Sequence, residues 1–174
     1  MSSPEHHSSL IDLIKSDFRS NPGDSKARFV CCFFRLAHWA RVDQGSPLTL
    51  PIVVAYRLVV EWIMGIEIRP RTRVGPGLTI YHGVGIVIND QAVLGKNVTL
   101  RHGVTIGSRV DGGPCPVISE DVEIGAGAII LGGITVGRGA RIGAGAVVLT
   151  SVPDLASVKG PAAIVFPAGE RRDA

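Results

Sequence analysis

Two histidines in the middle of the chain are the residues best suited to do chemistry. His82 and His102 lie 20 residues apart, and each is followed by glycine, in Tyr-His-Gly-Val and Arg-His-Gly-Val. An imidazole titrates near neutral pH and can take a proton from a hydroxyl group. Two imidazoles brought together by the fold would therefore suit general-base catalysis of transfer to a hydroxyl. The alternative is that both are ordinary corner residues that pack between neighbouring turns of the chain.

A six-residue repeat of aliphatic residues surrounds the two histidines. The anchors of this repeat are Ile68, Val74, Ile80, Leu94, Leu100, Ile106, Ile118, Ile124, Ile130, Val136, Ile142 and Val148. A period of six fits neither a helix nor a plain strand, but it is typical of a β-solenoid with short flat sides and tight corners. His82 and His102 each follow an anchor by two residues. Because coils of parallel β-structure stack about 4.8 Å apart, we expect the two imidazoles at one corner, on adjacent coils.

Two places interrupt the repeat. Between Ile80 and Leu94 the step is 14 residues, which predicts a bulge of two extra residues. Residues 108–116 read Ser-Arg-Val-Asp-Gly-Gly-Pro-Cys-Pro, a turn-rich sequence that predicts a projecting loop. We expect this loop to lie close to the two histidines.

The residues before the repeat have helical periodicity. Ser9 should cap a helix that ends near Arg19, a second helix is expected over residues 25–42, and a third follows the break at residues 45–47. The chain therefore divides into a helical segment and a mainly β solenoid, with a tail. The expected boundaries are residues 1–64, 65–166 and 167–174.

The window over residues 48–66 is apolar enough to span a membrane in principle. It contains Pro51, Arg57 and Glu61, and the last two are four residues apart, where a helix would pair them. We therefore interpret it as a helix that faces the core or a trimer interface, and we expect no transmembrane segment.

The composition excludes some classes of function. A net charge of +3 and a pI near 9.0 suit an anionic small molecule, but they are far from the basic stripe of a nucleic-acid binder. Three scattered cysteines, Cys31, Cys32 and Cys115, form no disulfide framework or metal-binding pair. The N-terminus does not have the order of a signal peptide. These features favour a reducing, cytoplasmic location.

From about residue 65 to residue 165 the chain resembles the hexapeptide-repeat acyltransferases, and within them the serine acetyltransferases. The motifs that carry the resemblance are Gly65-Ile66-Glu67-Ile68, Tyr81-His82-Gly83-Val84-Gly85-Ile86-Val87, Val104-Thr105-Ile106-Gly107, Ile124-Gly125-Ala126-Gly127-Ala128 and Ile142-Gly143-Ala144-Gly145. The resemblance implies a left-handed parallel β-helix, an exception to the usual right-handed crossover. It also implies a homotrimer with active sites between subunits, acetyl-CoA as cosubstrate and no metal.

In serine acetyltransferases the general base is a histidine, and an acidic residue 15 positions earlier orients it. His82 and Glu67 match these positions, although the family usually has aspartate at the second. The alternative for Glu67 is a solvated strand residue. Tyr81 stands where those enzymes have an aspartate for the substrate ammonium, and Pro114-Cys115 stand where they have Arg-His for its carboxylate. Because an unpaired buried charge is costly, serine is expected to be a poor acceptor.

The combination of Tyr81-His82-Gly83, Arg101-His102-Gly103 and Cys115-Pro116 is similar instead to the colanic-acid-type acetyltransferases of bacterial exopolysaccharide biosynthesis. This resemblance implies acetyl transfer to a hydroxyl of a sugar, either a small molecule or a lipid-linked one; serine O-acetylation is the alternative. Tyr81, Arg101 and Cys115 are then expected to bind the acceptor, and His102 to assist His82.

The resemblance places the CoA arm along the groove between neighbouring solenoids. Small residues at Gly107, Ala126 and Ala144 would let the pantetheine approach the backbone closely, and Lys159 is the candidate for its phosphates. Three other functions compete with this one. They are transfer through an acyl-cysteine at Cys115, a zinc hydratase, which would need three histidines around one metal, and a non-catalytic trimer.

Overall fold

The computed structural model describes residues 9–162, so the last residues of the expected solenoid and the tail expected over residues 167–174 lie outside the described part. The helices all precede the first strand. They are α1 (Leu10–Ser20), α2 (Ser25–His38) with a π-helical extension (Trp39–Gln44), a 3-10 turn (Pro47–Thr49), and α3 (Leu50–Tyr56) with a π-helical extension (Arg57–Ile63).

Capping side chains begin the first two helices. Ser9 accepts a hydrogen bond from the N–H of Asp12, as its sequence position predicts. Asp24, which follows the turn between α1 and α2, accepts one from the N–H of Ala27. Both side chains satisfy N–H groups that have no partner within the helix.

The third helix has one buried and one exposed face. Tyr56 and Val60 are fully buried, whereas Leu58 and Trp62 on the other side are exposed, the latter to 77%. Arg57 donates to the Glu61 carboxylate at 3.0 Å, so the pairing expected from their spacing is confirmed. Within residues 9–162, no helix is both long enough and apolar enough to cross a membrane.

Within residues 9–162, fourteen short strands form three parallel sheets. Each of the first four coils contributes one strand to each sheet, and on the last coil an isolated bridge from Val152 to Val136 takes the place of a strand in sheet B. Sheet A contains β1 (Glu67–Ile68), β4 (Val87–Ile88), β7 (Thr105–Gly107), β10 (Ile129–Leu131) and β13 (Val147–Val148). Sheet B contains β2 (Arg73–Val74), β5 (Val93–Leu94), β8 (Val117–Ile118) and β11 (Thr135–Val136). Sheet C contains β3 (Thr79–Tyr81), β6 (Thr99–Arg101), β9 (Glu123–Ile124), β12 (Arg141–Ile142) and β14 (Ser157–Val158). This parallel β-helix with a short helical preface confirms the fold class expected from the repeat.

The aliphatic anchors point inward and form the core. Ile68, for example, aligns with Ile88, and Ile88 aligns with Ile106, so identical phases stack from coil to coil. All three are at most 1% exposed. Ile88 is an anchor that the six-residue count missed. It comes eight residues after Ile80, so the two extra residues lie in the corner between β3 and β4, which contains His82.

The helices close the first coil of sheet C, where no earlier strand is available. The carboxylate of Asp17 accepts hydrogen bonds from the N–H groups of Gly77 and Leu78 at 2.9 and 3.0 Å. Asn21 accepts from the N–H of Ile80 and donates to the carbonyl of Leu78. Side chains of α1 thus satisfy backbone groups that a neighbouring strand would otherwise satisfy.

A buried ion pair holds this cap in place. Arg35 of α2 donates to Asp17 at 2.8 Å, and the two side chains are only 2% and 0% exposed. The same guanidinium donates to the carbonyls of Val74 and Gly75. Both charged groups of the pair therefore have hydrogen-bond partners, which is the condition for burying two charges.

The projecting loop at residues 108–116 leaves a different corner from the one that contains the histidines. It connects β7 in sheet A to β8 in sheet B, whereas His82 and His102 lie where sheet C passes to sheet A. Its Arg109 and Pro114 side chains lie over Gly132 and Gly133, in the same A–B corner of the next coil. The expectation that the loop lies beside the histidines is therefore wrong within a single chain.

Candidate active site

The two histidines form a pair on adjacent coils. His82 follows β3 and His102 follows β6, two strands that are hydrogen-bonded neighbours in sheet C. Their ring centroids are 6.2 Å apart, with the ring planes inclined at 66°. Both residues are exposed. The sequence therefore located the pair correctly, and both imidazoles are accessible to a ligand in solvent.

His82 has a left-handed backbone, with φ of +64°. This conformation is uncommon for a residue with a side chain and persists only where the surroundings enforce it. Gly83 comes next with φ of +49° and is buried against Ile66 and Ile80, where a Cβ would lie 2.7 Å from the Ile66 side chain. His82 and Gly83 therefore form a tight turn directly after β3, in the corner that contains the two extra residues. The sequence signal for this feature is the phase shift between Ile80 and Ile88.

A small apolar pocket adjoins His82 at the helical end of the solenoid. Its lining includes Asp24 and Lys26, at the start of α2, together with Gly83. Asp24 and Lys26 could not be selected from the sequence, because nothing in the local sequence indicates that the start of α2 faces the histidine corner.

Tyr81 and Arg101 form a second pair beside the histidines. They are register partners in β3 and β6, and the Arg101 guanidinium lies 5.1 Å from the centroid of the Tyr81 ring. An arginine stacked on an aromatic face in this way is held by a cation–π attraction. Two predicted acceptor-binding residues and the two histidines thus lie next to one another at the ends of two neighbouring strands.

Glu67 has a different partner from the one expected. Its Oε1 atom accepts from Arg69 Nε and Nη2 at 3.0 and 2.7 Å, rather than from His82. The hydrogen bond to Glu67 is the main reason that the pKa of Arg69 is raised. Glu67 lies at the start of sheet A, next to the corner that carries His82, and its side chain is 39% exposed, so it can still change partner.

Cys115 is separate from the histidine pair. It lies in the loop at the A–B corner, partly buried against the hydrophobic core, with its Sγ 4.0 Å from the carbonyl of Gly113. Burial raises the pKa of its thiol, and the charge of Asp90 adds to the effect. A nucleophilic cysteine requires the opposite shift, so these surroundings disfavour an acyl-cysteine.

Three of the four residues expected to contact CoA line two grooves, and the fourth directly follows one of them. Ala126 and Ala144 line an open groove of about 530 Å³ along sheet C, which also includes Arg101. Lys159 is exposed and directly follows β14, which forms the end of this groove. Gly107 lines another groove, of about 430 Å³, along sheet A. A single chain therefore brings together three of the four residues.

Among the described residues of one chain, the two histidines have no third side chain placed to hold a metal ion with them. Within residues 9–162, no group of three His, Cys, Asp or Glu side chains is arranged to hold a metal ion. The exposure of both rings and their closeness suit them instead to exchange protons with a bound hydroxyl group.

Comparison with known proteins agrees with the fold and with acetyl transfer. Residues 115–150 match the family described as bacterial transferase hexapeptide (six repeats). An Escherichia coli (strain K12) protein, provisionally named colanic acid biosynthesis acetyltransferase WcaB, is 41% identical over 155 residues, or 86% of this chain and 96% of its own length. The serine acetyltransferase of Synechococcus elongatus is 37% identical over 80% of this chain, but only 57% of that enzyme is covered.

Among solved structures, the soybean serine acetyltransferase apoenzyme superposes with a TM-score of 0.76 at 34% sequence identity. The match covers 88% of this chain and 67% of the soybean chain. With relatives at this level of identity over most of its length, the chain belongs to the hexapeptide-repeat acetyltransferases.

Proposed function

We propose that this enzyme transfers acetyl from acetyl-CoA to a hydroxyl group of a sugar acceptor in exopolysaccharide biosynthesis. The observation that carries the proposal is the stacked Tyr81–Arg101 pair beside the two histidines. A serine-binding site would need a carboxylate next to His82 for the substrate ammonium. The neighbouring position is instead an exposed tyrosine, whose flat face suits a sugar ring.

In the proposed reaction His82 is the general base. The acceptor oxygen attacks the thioester carbonyl carbon while His82 takes the hydroxyl proton. The tetrahedral intermediate then expels the CoA thiolate, which recovers the proton from the imidazolium, so that the products are an acetyl ester and free CoA. Glu67 would orient His82 once it exchanges its contact with Arg69 for the imidazole.

His102 is proposed to stabilise the oxyanion or to hold the acceptor hydroxyl. Two backbone amides at this corner are already used between coils. Gly85 N–H donates to the carbonyl of Gly65 at 2.7 Å, and Gly103 N–H donates to that of Val84 at 2.9 Å. The side chain of His102, close to that of His82 and exposed, remains available as a donor.

A homotrimer would complete the site. Gly107 and Cys115 lie away from Ala126, Ala144 and the histidines in one chain, and neighbouring solenoids can bring such separate faces together. We propose that the CoA arm lies between two subunits, with Cys115 of one subunit reaching the acceptor bound beside His82 of another. The scattered cysteines favour the cytoplasm as the compartment.

Serine O-acetylation is the second candidate. The similarity to serine acetyltransferases over most of the chain favours it. Tyr81 and Cys115 count against it, because neither carries a charge that would neutralise one end of the amino acid. The test is thiol release from acetyl-CoA with nucleotide sugars, undecaprenyl-linked sugar analogues or serine as the acceptor. Turnover with a sugar alone would support the proposal; turnover with serine alone would overturn it, and turnover with neither would favour a non-catalytic trimer.

A further inference from the structure

We infer that the acceptor carries a negatively charged group, a phosphate or a carboxylate, and that Arg101 binds it. This inference deepens the proposed function, because it assigns a charge to the sugar acceptor bound beside His82. Three observations support it: the position of Arg101, the binding of the nearby carboxylates to groups other than Arg101, and the open groove that Arg101 lines.

Arg101 is positioned to bind a ligand rather than to stabilise the solenoid. It is the last residue of β6 and is exposed, directly before His102 in sequence and next to Tyr81 across the sheet. Stacking on Tyr81 occupies one face of the guanidinium. The N–H groups lie in the plane of the guanidinium and remain accessible, which is the arrangement that binds phosphate or carboxylate through two parallel hydrogen bonds.

Among the described residues, no carboxylate neutralises Arg101. None of the six ion pairs within residues 9–162 includes it. The acidic groups closest to the site have other partners: Glu67 is bound to Arg69, and Glu123 pairs with Arg141 at 3.8 Å. Asp24, in the pocket beside His82, caps α2 by accepting from an N–H group.

The cationic side chains around the acceptor position are Lys26, which shares its pocket with the carboxylate of Asp24, and Arg101, which has no carboxylate partner among residues 9–162. A ligand with a cationic group would meet unfavourable charge at this corner, whereas an anionic ligand would find an accessible guanidinium.

The groove below Arg101 has room for such a group. Its floor includes Gly125 and Gly143, where an added Cβ would lie within 3 Å of backbone atoms of the next coil. The two glycines therefore allow the coils to stack closely, and neither adds a side chain to the groove that Arg101 lines. A phosphate or carboxylate attached to a sugar could reach Arg101 while its hydroxyl remains close to His82.

The phosphates of CoA are the other possible source of an anion. We assign Arg101 to the acceptor because it adjoins both histidines at the upper end of the groove, whereas Lys159 lies at the opposite end, three strands further along sheet C. The two sources predict different kinetic effects, because loss of a donor contact would weaken the binding of acetyl-CoA itself.

The test compares charged and neutral probes on the full-length protein. Glucose 1-phosphate, inorganic phosphate and glucose would be titrated into the protein while the imidazole NMR signals of His82 and His102 are followed. Arg101→Gln should weaken the binding of glucose 1-phosphate about ten-fold or more, and change glucose binding less than about two-fold. Arg101→Lys, which keeps the charge but loses the planar fork, should have an intermediate effect.

Arg73→Gln is the matched control, because Arg73 is also an exposed strand arginine outside the ion pairs of residues 9–162, but it lies in sheet B. It should leave the affinity for glucose 1-phosphate unchanged. Equal affinity of the wild-type protein for glucose and glucose 1-phosphate would overturn the inference. So would a rise in the Kd of CoA in Arg101→Gln with unchanged binding of glucose 1-phosphate, which would assign the guanidinium to the donor.

Failure of the proposed function has a different signature. Acetylation of serine but of no sugar would overturn the sugar proposal. Anion binding that depends on Arg101 would then show an anion site but not a sugar acceptor. Acetylation of glucose as efficiently as glucose 1-phosphate would leave sugar transfer standing and refute the requirement for charge.

Discussion

The ring centroids of His82 and His102 lie 6.2 Å apart at one corner, because the strands that precede the two residues are in register through Tyr81 and Arg101. The two extra residues of the chain lie in this same corner, between β3 and β4. His82 has a left-handed backbone, with φ of +64°, a conformation that costs about 1–3 kcal/mol. The strand register thus explains why the residue proposed as the general base lies next to a second imidazole.

Replacement of His82 should remove catalysis without unfolding the protein. Asparagine tolerates the left-handed backbone, so His82→Asn avoids the strain that other residues would add. We expect kcat to fall about 10²–10⁴-fold and the free energy of unfolding to change by less than about 1 kcal/mol. Steady-state kinetics and urea denaturation check both values. A variant that retains more than about a tenth of the wild-type kcat would show that His82 is not the base.

Glu67 should matter for more than its ion pair with Arg69. If it orients His82 during turnover, Glu67→Gln lowers kcat about ten-fold or more, because the tautomer and the imidazolium lose their partner. Arg69→Gln removes the same exposed ion pair and should change kcat less than about three-fold. Parallel kinetics of the two variants separate the roles. Equal losses would mean that Glu67 acts only as the partner of Arg69.

The buried cap should be essential for stability. Asp17→Asn leaves the Arg35 guanidinium buried without its counter-ion, and we expect a loss of about 3–5 kcal/mol in the free energy of unfolding. Glu120→Gln is the control, because its pair with Lys96 is exposed and 3.8 Å long. It should cost less than about 1 kcal/mol. A similar small loss in Asp17→Asn would show that the cap contributes little.

Small residues in the groove along sheet C should be required for the donor. Ala144→Leu fills part of this groove, so we expect the KM for acetyl-CoA to rise about ten-fold, equivalent to about 1.4 kcal/mol of binding free energy. Thr150→Leu adds bulk at another exposed position that follows β13. Only the first variant should change this KM. An unchanged value in Ala144→Leu would place CoA elsewhere.

Cys115 should not carry the acetyl group. Because burial raises the pKa of its thiol, less thiolate is present at any given pH than for an ordinary cysteine. Alkylation of Cys115 by iodoacetamide should therefore be slower than that of glutathione at neutral pH, and its rate should increase with pH until the thiol is fully ionised. Cys115→Ser should retain transfer, since a hydroxyl can still contact an acceptor. Peptide mass spectrometry that finds acetylated Cys115 after incubation with acetyl-CoA would contradict this account.

The sequence predicted the features that depend on periodic burial. An inward aliphatic residue at every sixth position predicts coils that stack in the same phase, and the positions of His82 and His102 relative to Ile80 and Leu100 then place both at one corner. Ile88 could not be recognised in this way, because the two-residue insertion places it eight residues after Ile80 instead of six. The strand that contains Ile88 was therefore not predicted.

Contacts between distant parts of the sequence could not be predicted. Asp17 binds Gly77 and Leu78 across about sixty residues, and no local pattern indicates which helical side chains face the first coil. The predicted position of the projecting loop was wrong for a related reason. The position of a loop in the sequence shows which coil it belongs to. The corner at which it projects depends on the strand that precedes it, which in this chain is β7 of sheet A.

The most direct test of acetyl transfer to a sugar is a competition between acceptors. The protein would receive acetyl-CoA with equal concentrations of serine and a nucleotide sugar, and the two acetylated products would be quantified by mass spectrometry. Their ratio equals the ratio of the kcat/KM values for the two acceptors. The account predicts that the acetylated sugar dominates and disappears with His82→Asn. A dominant O-acetylserine product would contradict it, and would show that groups other than Tyr81 and Cys115 hold the charged ends of the amino acid.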